Sequence, residues 1–453
     1  MSRYMQWLQE TGLARHVLAI LLCSGITWEW GLLGSESFID YSLPAQGYFR
    51  AWLRGRYGTE ECMAEAWGRP GSFAGAAIPS AERRARPHGA AGLRSLPDEQ
   101  DVIDYQQCLS DMNADLLLEL AAATKDAAPA GPLAGAFYGY TLTARDHNHF
   151  MGTHGSGGLQ GGHHALGRVL RSPHIDFLAS PFSYANRELG SGYLQEHAPL
   201  ASVHRHGKAF FDENDIRGRN HLPMDAAEGR EMSFGEADTE DDSIRLLHLA
   251  FAQCIVRGKH QWITELGSGD WYASERLRAE IQRLSAAAGD LLHLDRSPVA
   301  EVAYVIDEQS AAYLGLDHRA FRQRVYFASV EWGHLGAPYD LVLLDDLLEG
   351  LPPRCKLVVP ACVKRSQAIQ ALRAWREKHP ATMVLWDASP HWYPPPPSRS
   401  LPRWIGRGCT DTLPTAAQST LTSAYSCSPC CCCSETADRT LSPGNPHPCT
   451  YSC

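Results

Sequence analysis

The sequence predicts an α/β protein built as an incomplete (β/α)8 TIM-type barrel, followed by an open doubly wound α/β domain and a disordered tail. Three observations predict this. Over residues 1–297 short apolar runs of strand length alternate with stretches of helical periodicity, an alternation that implies a parallel sheet. From residue 298 to 392 the pattern restarts with four continuous apolar runs, as expected of strands covered on both faces. After WYPPPPSRS the chain turns to Ser, Thr, Pro and Cys without periodicity, so residues 393–453 read as disordered.

The elements follow in order. RYMQWLQETGLAR (3–15) is an amphipathic helix leading into an apolar strand, Val17–Cys23. Helical patterns come next at PAQGYFRAWLRGRYG and EECMAEAWG, then a Gly/Ala/Arg/Pro-rich loop over 68–97. Its basic stretch AERRARPHG (81–89) reads as a solvated loop. DEQDVIDYQQCLSDMNADLLLELAAATKDA is one long periodic helix. LAGAFYGYT (133–141) is a strand, followed by a Gly- and His-rich loop and the helix ALGRVLRSP, which ends at Pro173. HIDFLASP, GKAFFDEND and GKHQWITEL are three further strands. The helix SIRLLHLAFAQCIVRG lies between the last two, opened by the acidic TEDDS, which suits a helix N-terminus. That makes five β/α units where a closed barrel needs eight, as if three units precede Met1. In the second domain VAEVAYVIDEQS, YDLVLLDDLL, CKLVVPA and ATMVLWD are strands and SQAIQALRAWREKH a helix. No G-x-G-x-x-G occurs there, which removes support for a dinucleotide site.

Composition narrows the function classes. A formal charge of −10 argues against nucleic acid as the main partner. No apolar run reaches the length of a membrane span. Val17–Cys23 lacks the cationic start and cleavage site of an export signal, so the expected location is cytoplasmic. Of 14 Cys, eight fall in the last 45 residues, and the rest are scattered singly as free thiols. His147, His149, His154, His163 and His164 lie in a Gly-rich stretch without carboxylate support. They read as a solvated loop over the barrel mouth, and no metal or other cofactor is expected.

Two carboxylates carry the chemistry. Glu29 closes HVLAILLCSGITWEW, and Glu213 closes the short run KAFFDEND. A Glu at the C-terminal end of one strand, paired with another at the end of a later one, is the arrangement by which a β/α barrel cleaves glycosidic bonds. Glu29 lies between Trp28 and Trp30, a setting that raises a carboxylic acid's pKa and suits the proton donor. Glu213 has Asp212, Asp215, Lys208 and Arg217 nearby in sequence, which suits an ionised nucleophile. Asp212 and Asp215 are alternative nucleophiles if the strand ends differently. Tyr140, Ser180, Tyr184, Arg187, Trp262 and Glu265 stand at other strand ends and, with Trp28 and Asp215 beside the two glutamates, are candidates to line a sugar site. Trp262 is the candidate stacking platform.

These blocks resemble the family 42 glycoside hydrolases, the β-galactosidases of the retaining barrel clan. The segments TWEWG and DYSLPAQGYFRAWLRGRYGTEECMAEAWG carry the likeness, with GAFYGYT, HIDFLASPFSYANRELGSGY, HGKAFFDENDIRG and DTEDDSIRLLHLAFAQCIVRGKHQWITELGSGDWY. VAYVIDEQSAAYL and PYDLVLLDDLL resemble that family's trimerisation domain. The likeness runs from about Tyr4 to about Trp386. It implies that the visible strands are the fourth to eighth of the barrel, with Glu29 as acid/base and Glu213 as nucleophile. A covalent glycosyl-enzyme intermediate, a carbohydrate substrate and a homotrimer are implied with them. Trp28 stands where many clan members carry the Asn that holds the sugar 2-hydroxyl. A chain lacking three barrel units could also be a non-catalytic remnant that binds carbohydrate or itself.

Overall fold

The structure is a computed structural model. It describes residues 1–25, 29–32, 40–89, 92–128, 131–142, 161–183, 187, 189–190, 194–218, 237–265, 271–295, 297–315, 324–325, 328–350, 354–361 and 365–386. The chain divides into two units, Met1–Ser398 and Arg399–Cys453. The second lies wholly outside the described residues, as do the expected 393–453 tail, Trp28, Tyr184, His147, His149 and His154.

The first unit is a parallel α/β fold with two sheets. Strands β1 (Ala19–Leu22), β2 (Leu133–Phe137), β3 (Phe177–Pro181), β4 (Ala209–Asn214) and β5 (His260–Ile263) lie side by side in chain order. All four pairings are parallel, with Leu22 opposite Ala136, Pro181 opposite Glu213, and Glu213 opposite Trp262. Each strand feeds a crossover, since parallel neighbours cannot be joined by a tight turn.

Side chains alternate along these strands and sort into two environments. Ile20, Leu22, Ala134, Ala136, Leu178 and Phe210 join the main apolar core. Helices α1 (Ser2–Glu10) and α5 (Gln100–Ala127) pack there through Met5, Leu8, Ala114, Leu117 and Ala121. The alternate positions Leu21, Phe137, Ala179, Phe211 and Trp262 gather with Tyr140 on the other face. The sheet therefore has a helix-covered side and an aromatic side.

Helices α2 (Leu43–Tyr57), α3 (Glu60–Trp67) and α8 (Glu240–Arg257) fall where the periodicity predicts them. Each starts on a hydroxyl cap, Ser42, Thr59 and Thr239, which accepts an otherwise orphaned backbone N–H. The first helix is shorter than expected. It stops at Glu10, because Gly12 takes a left-handed φ of 72° and a 3-10 turn, Leu13–His16, follows.

One loop expected to be solvated is packed instead. Within 81–89, residues Ala81–Ala85 form a short helix α4, Arg84 is buried over the Tyr105 ring at 4.8 Å, and Arg83 pairs with Asp101 at 2.9 Å. Arg94 reaches Glu99 at 2.9 Å. The acidic start of α5 supplies the counter-charges that draw this basic stretch inward. His163 and His164, at the end of the His-rich loop, are likewise buried.

The second sheet has the order β7-β6-β8-β9, all parallel: Tyr339–Leu343, Val302–Ile306, Leu357–Ala361 and Met383–Val384. Its faces bury separate apolar clusters, one around Tyr304, Leu341 and Trp332, the other around Val305, Val358 and Leu372. Double burial explains why these strands read as unbroken apolar runs. Two short helices, α6 (Leu166–Leu170) and α7 (Leu200–Arg205), lie against the ends of this sheet: at α6 the carboxylate of Glu308, just past β6, accepts the backbone N–H groups of Leu166 and Gly167 at 2.7 and 3.1 Å. Burial pushes that carboxyl up to about 8 against those two bonds.

Candidate active site

The loop after β1 places Glu29. The chain leaves β1, turns through Gly25, and comes back so that Glu29 bridges Ser24 in parallel register. The Trp30 amide donates to the Ser24 carbonyl and its indole to the Leu22 carbonyl, both at 2.7 Å. Gly25 has a left-handed φ of 74°, and a Cβ there would lie 2.4 Å from the Gly31 carbonyl oxygen, so only Gly fits. Trp30 is itself left-handed, with φ 58°, a rare conformation for a bulky residue. The strain is held by burial of its ring and by Asn113 Nδ2, which donates to the Trp30 carbonyl at 2.8 Å. Strained backbone beside a titratable group is a mark of functional sites.

Glu213 reaches the same region from β4. Alternation along Ala209–Asn214 sends Phe210, Asp212 and Asn214 into buried positions and leaves Phe211 and Glu213 half-buried, Phe211 on the aromatic side. Its carboxylate accepts hydrogen bonds from the Trp262 indole and the Thr264 hydroxyl at the end of β5. Tyr140, just beyond β2, lies near enough to the Glu29 carboxylate to favour its ionised form.

The two carboxylates act on each other. Burial, then the negative charges of Glu213 and Asp215, push Glu29 up to about 8. Burial and Asp215 push Glu213 up to about 7, against the hydrogen bonds of Trp262 and Thr264 and the charge of Arg187. Between those values one carboxyl is protonated while its partner is ionised, the state that acid-assisted displacement needs.

The structure therefore brings together Glu29, Glu213, Tyr140 and Trp262, with Asp215 and Arg187 close enough for their charges to be felt. Trp262 also packs edge-on against Phe137, ring centroids 5.8 Å apart. Arg187 and Asp215 are fully buried and paired with each other, Nη1 to Oδ1 2.7 Å. Glu265 is exposed at the end of β5, where it accepts the Tyr272 amide at 3.0 Å. Two sequence candidates fall on the wrong face. Ser180 and Asp212 are register partners on the helix-covered side, two residues along from Leu178 and Phe210. Asp212 there meets Lys259 at 2.5 Å and Cys254 at 3.7 Å. A period of two sends it away from Glu213.

Three contributors went unforeseen. Thr264 follows Trp262 by two residues and was legible from strand alternation. Asn113 sits mid-helix with no local signal. His163 Nδ1 accepts the amides of Gly139 and Tyr140 at 3.2 and 3.1 Å while its ring stacks on Tyr138, so it holds the turn that carries Tyr140. Among the described residues no group of three His, Cys, Asp or Glu side chains gathers where a metal ion could sit. No described helix is long and apolar enough to cross a membrane.

No family model and no curated protein matches the chain. Solved structures do. The GH42 exo-carrageenase of Bacteroides ovatus matches with a TM-score of 0.50 and 11% identity, over 79% of this chain and 47% of that one. The β-galactosidase of psychrophilic Marinomonas ef1 matches with a TM-score of 0.46 and 16% identity, over 77% and 52%. For the β-galactosidase of the haloarchaeon Halorubrum lacusprofundi the values are 0.45 and 17%, over 76% and 50%. The chain spans about half the length of the solved structures it matches, and identities this low speak to architecture alone. In its fold, this chain is like the GH42 glycoside hydrolases.

Proposed function

We propose that the chain is a retaining glycoside hydrolase that cleaves β-galactosides or a related β-glycoside, with Glu29 as acid/base and Glu213 as nucleophile. The observation that supports this reading is that Glu29 and Glu213 follow from two parallel strands of one sheet, β1 and β4, with the Glu213 charge felt at Glu29. In the first step Glu29 gives its proton to the glycosidic oxygen while a Glu213 oxygen attacks the anomeric carbon, forming the glycosyl-enzyme. In the second, Glu29 takes a proton from water, which attacks the same carbon and releases Glu213. Tyr140 and Trp262 steady the two carboxylates, and the Trp262 ring offers an apolar face to the sugar. The substrate class is the one implied by the resemblance of the sequence blocks to the family 42 β-galactosidases. The five strands β1–β5 are then the fourth to eighth of a barrel, the second sheet is the trimerisation-type domain, and the working form is a cytoplasmic homotrimer.

A second reading, a carbohydrate-binding chain without hydrolytic activity, is favoured by the openness of the sheet. Among the described residues β1 and β5 each have one strand neighbour. A panel of 4-nitrophenyl glycosides separates the two. The enzyme reading expects activity that Glu29→Gln and Glu213→Gln each reduce by at least about 100-fold, the usual worth of an acid/base group or more. Turnover unaffected by either substitution, or absent in the parent chain, rejects it.

A further inference from the structure

The exit of β4 is held by more than its sheet partners. Asp215, two residues beyond Glu213, pairs with Arg187, and neither has any exposed side-chain surface. That guanidinium also reaches backbone: Nη2 donates to the Phe182 carbonyl, and Nε to the Ser183 carbonyl at 3.4 Å. Phe182 and Ser183 directly follow β3, so Arg187 ties the exits of β3 and β4 together. On the other flank Arg217 Nη1 lies 3.4 Å from Asp215 Oδ2, with its guanidinium over the Trp271 ring at 5.2 Å. The Tyr272 hydroxyl donates to the Ile216 carbonyl at 2.8 Å. Residues 271–272 lie in the connection that leaves β5. Three strand exits are thereby stitched around one buried carboxylate, and Glu213 projects from the stitched segment.

A buried ion pair is a poor way to gain stability, because desolvation offsets most of the attraction. Its geometric value is different: five N–H donors in a rigid fork define one arrangement of their acceptors. The expectation from sequence was that Arg187 and Asp215 touch a sugar. The geometry points instead to a positioning pair, in which Arg187 and Asp215 fix where Glu213 stands relative to Glu29 and make no contact with the substrate. This deepens the glycosidase reading and rests on it for the identity of the attacking oxygen. The groups that face the two carboxylates alongside the pair are Tyr140, Trp262 and Thr264.

The test uses the full chain carrying carboxyl-13C-labelled glutamate, with Glu29→Gln and Glu213→Gln assigning the two resonances. In the parent chain Glu213→Gln should lower the titration midpoint of Glu29; no such coupling would reject the glycosidase reading and the positioning pair together. The key variant is the double substitution Arg187→Met/Asp215→Leu, which removes both charges of the pair, with Arg217 held over the Trp271 ring. Asp215→Asn gives the same comparison if the double variant does not fold. The expected result is a folded protein in which the Glu29–Glu213 coupling is lost. On a 4-nitrophenyl β-galactoside kcat should fall by roughly 100-fold with KM little changed, the cost of a misplacement near 1 Å. Coupling and kcat both retained in a folded variant would overturn the positioning role. So would a raised KM with kcat intact, which marks a residue that touches the sugar. Coupling present in the parent and lost in the variant, without turnover in either, would sustain the positioning pair and reject the hydrolase.

Discussion

Glu29 and Glu213 show how far single residues were legible. Both stand at the end of an apolar run, and that placement needs only the rule that strand ends present functional groups. Their coupling predicts a pH profile. Below about 7 Glu213 holds a proton and cannot attack; above about 8 Glu29 has lost the proton it must donate. The rate kcat/KM should therefore describe a bell with its maximum between those values, Glu213 setting the acid limb and Glu29 the alkaline limb. Tyr140→Phe removes a hydroxyl that favours ionised Glu29, so the alkaline limb should move to higher pH. Initial rates across pH 5–10, taken at roughly unit intervals or finer, check both signs. A single limb, or an optimum near 5, would contradict the assignment. Arg187 and Asp215 were visible as polar residues at strand ends. Their burial was not, because the partner of each lies on another strand exit.

At the scale of the element, alternation along β4 divides two chemistries one residue apart. Glu213 belongs to the aromatic side, while Asp212 belongs to a buried cluster with Lys259 of the β5 entry and Glu196, the Lys259 ammonium lying 2.5 and 3.5 Å from them. Burial raises Asp212 to about 6 against the pull of Lys259. Lys259→Met leaves two carboxylates in the core facing one another, and should cost about 3–5 kcal/mol in urea unfolding. Lys259→Met/Asp212→Leu should recover part of that loss, since one uncompensated charge goes with its partner. Equal stability of the single variant and the parent would show that the cluster is hydrated. The strands themselves were legible as apolar runs, and α2, α3 and α8 as periodicities with hydroxyl caps. What pattern missed was packing of polar loops. The stretch 81–89 looks solvated by composition, yet Asp101, in the first turn of α5, holds Arg83, and Glu99 at the start of that helix holds the nearby Arg94.

Across the whole first unit, polar contacts join the two sheets. Asp346, at the exit of β7, is buried and meets His206 Nε2 at 2.8 Å and Arg171 Nη2 at 3.4 Å, both from the connections between strands of the first sheet. The Leu343 amide donates to Ser202 Oγ at 2.8 Å. Asp346→Ala removes the partner of the His206 ring, while Arg171 keeps Glu349 at 2.9 Å, and should cost about 1–3 kcal/mol, read as a lowered melting temperature. Because the carboxylate pair lies on the other sheet's strand exits, kcat at 25 °C should be unchanged within about twofold. A large kcat loss with no change in melting would reverse that expectation. The sequence by itself determined the two alternating patterns, the parallel connectivity they require, and the two glutamates at strand ends, since all of these follow from periodicities a few residues long. Tertiary structure alone decided that Glu29 feels Glu213, that Asp212 turns away from both, and that Arg187 is spent on Asp215. Those outcomes depend on which strand lies beside which and on how much water remains between them, and no local pattern encodes either.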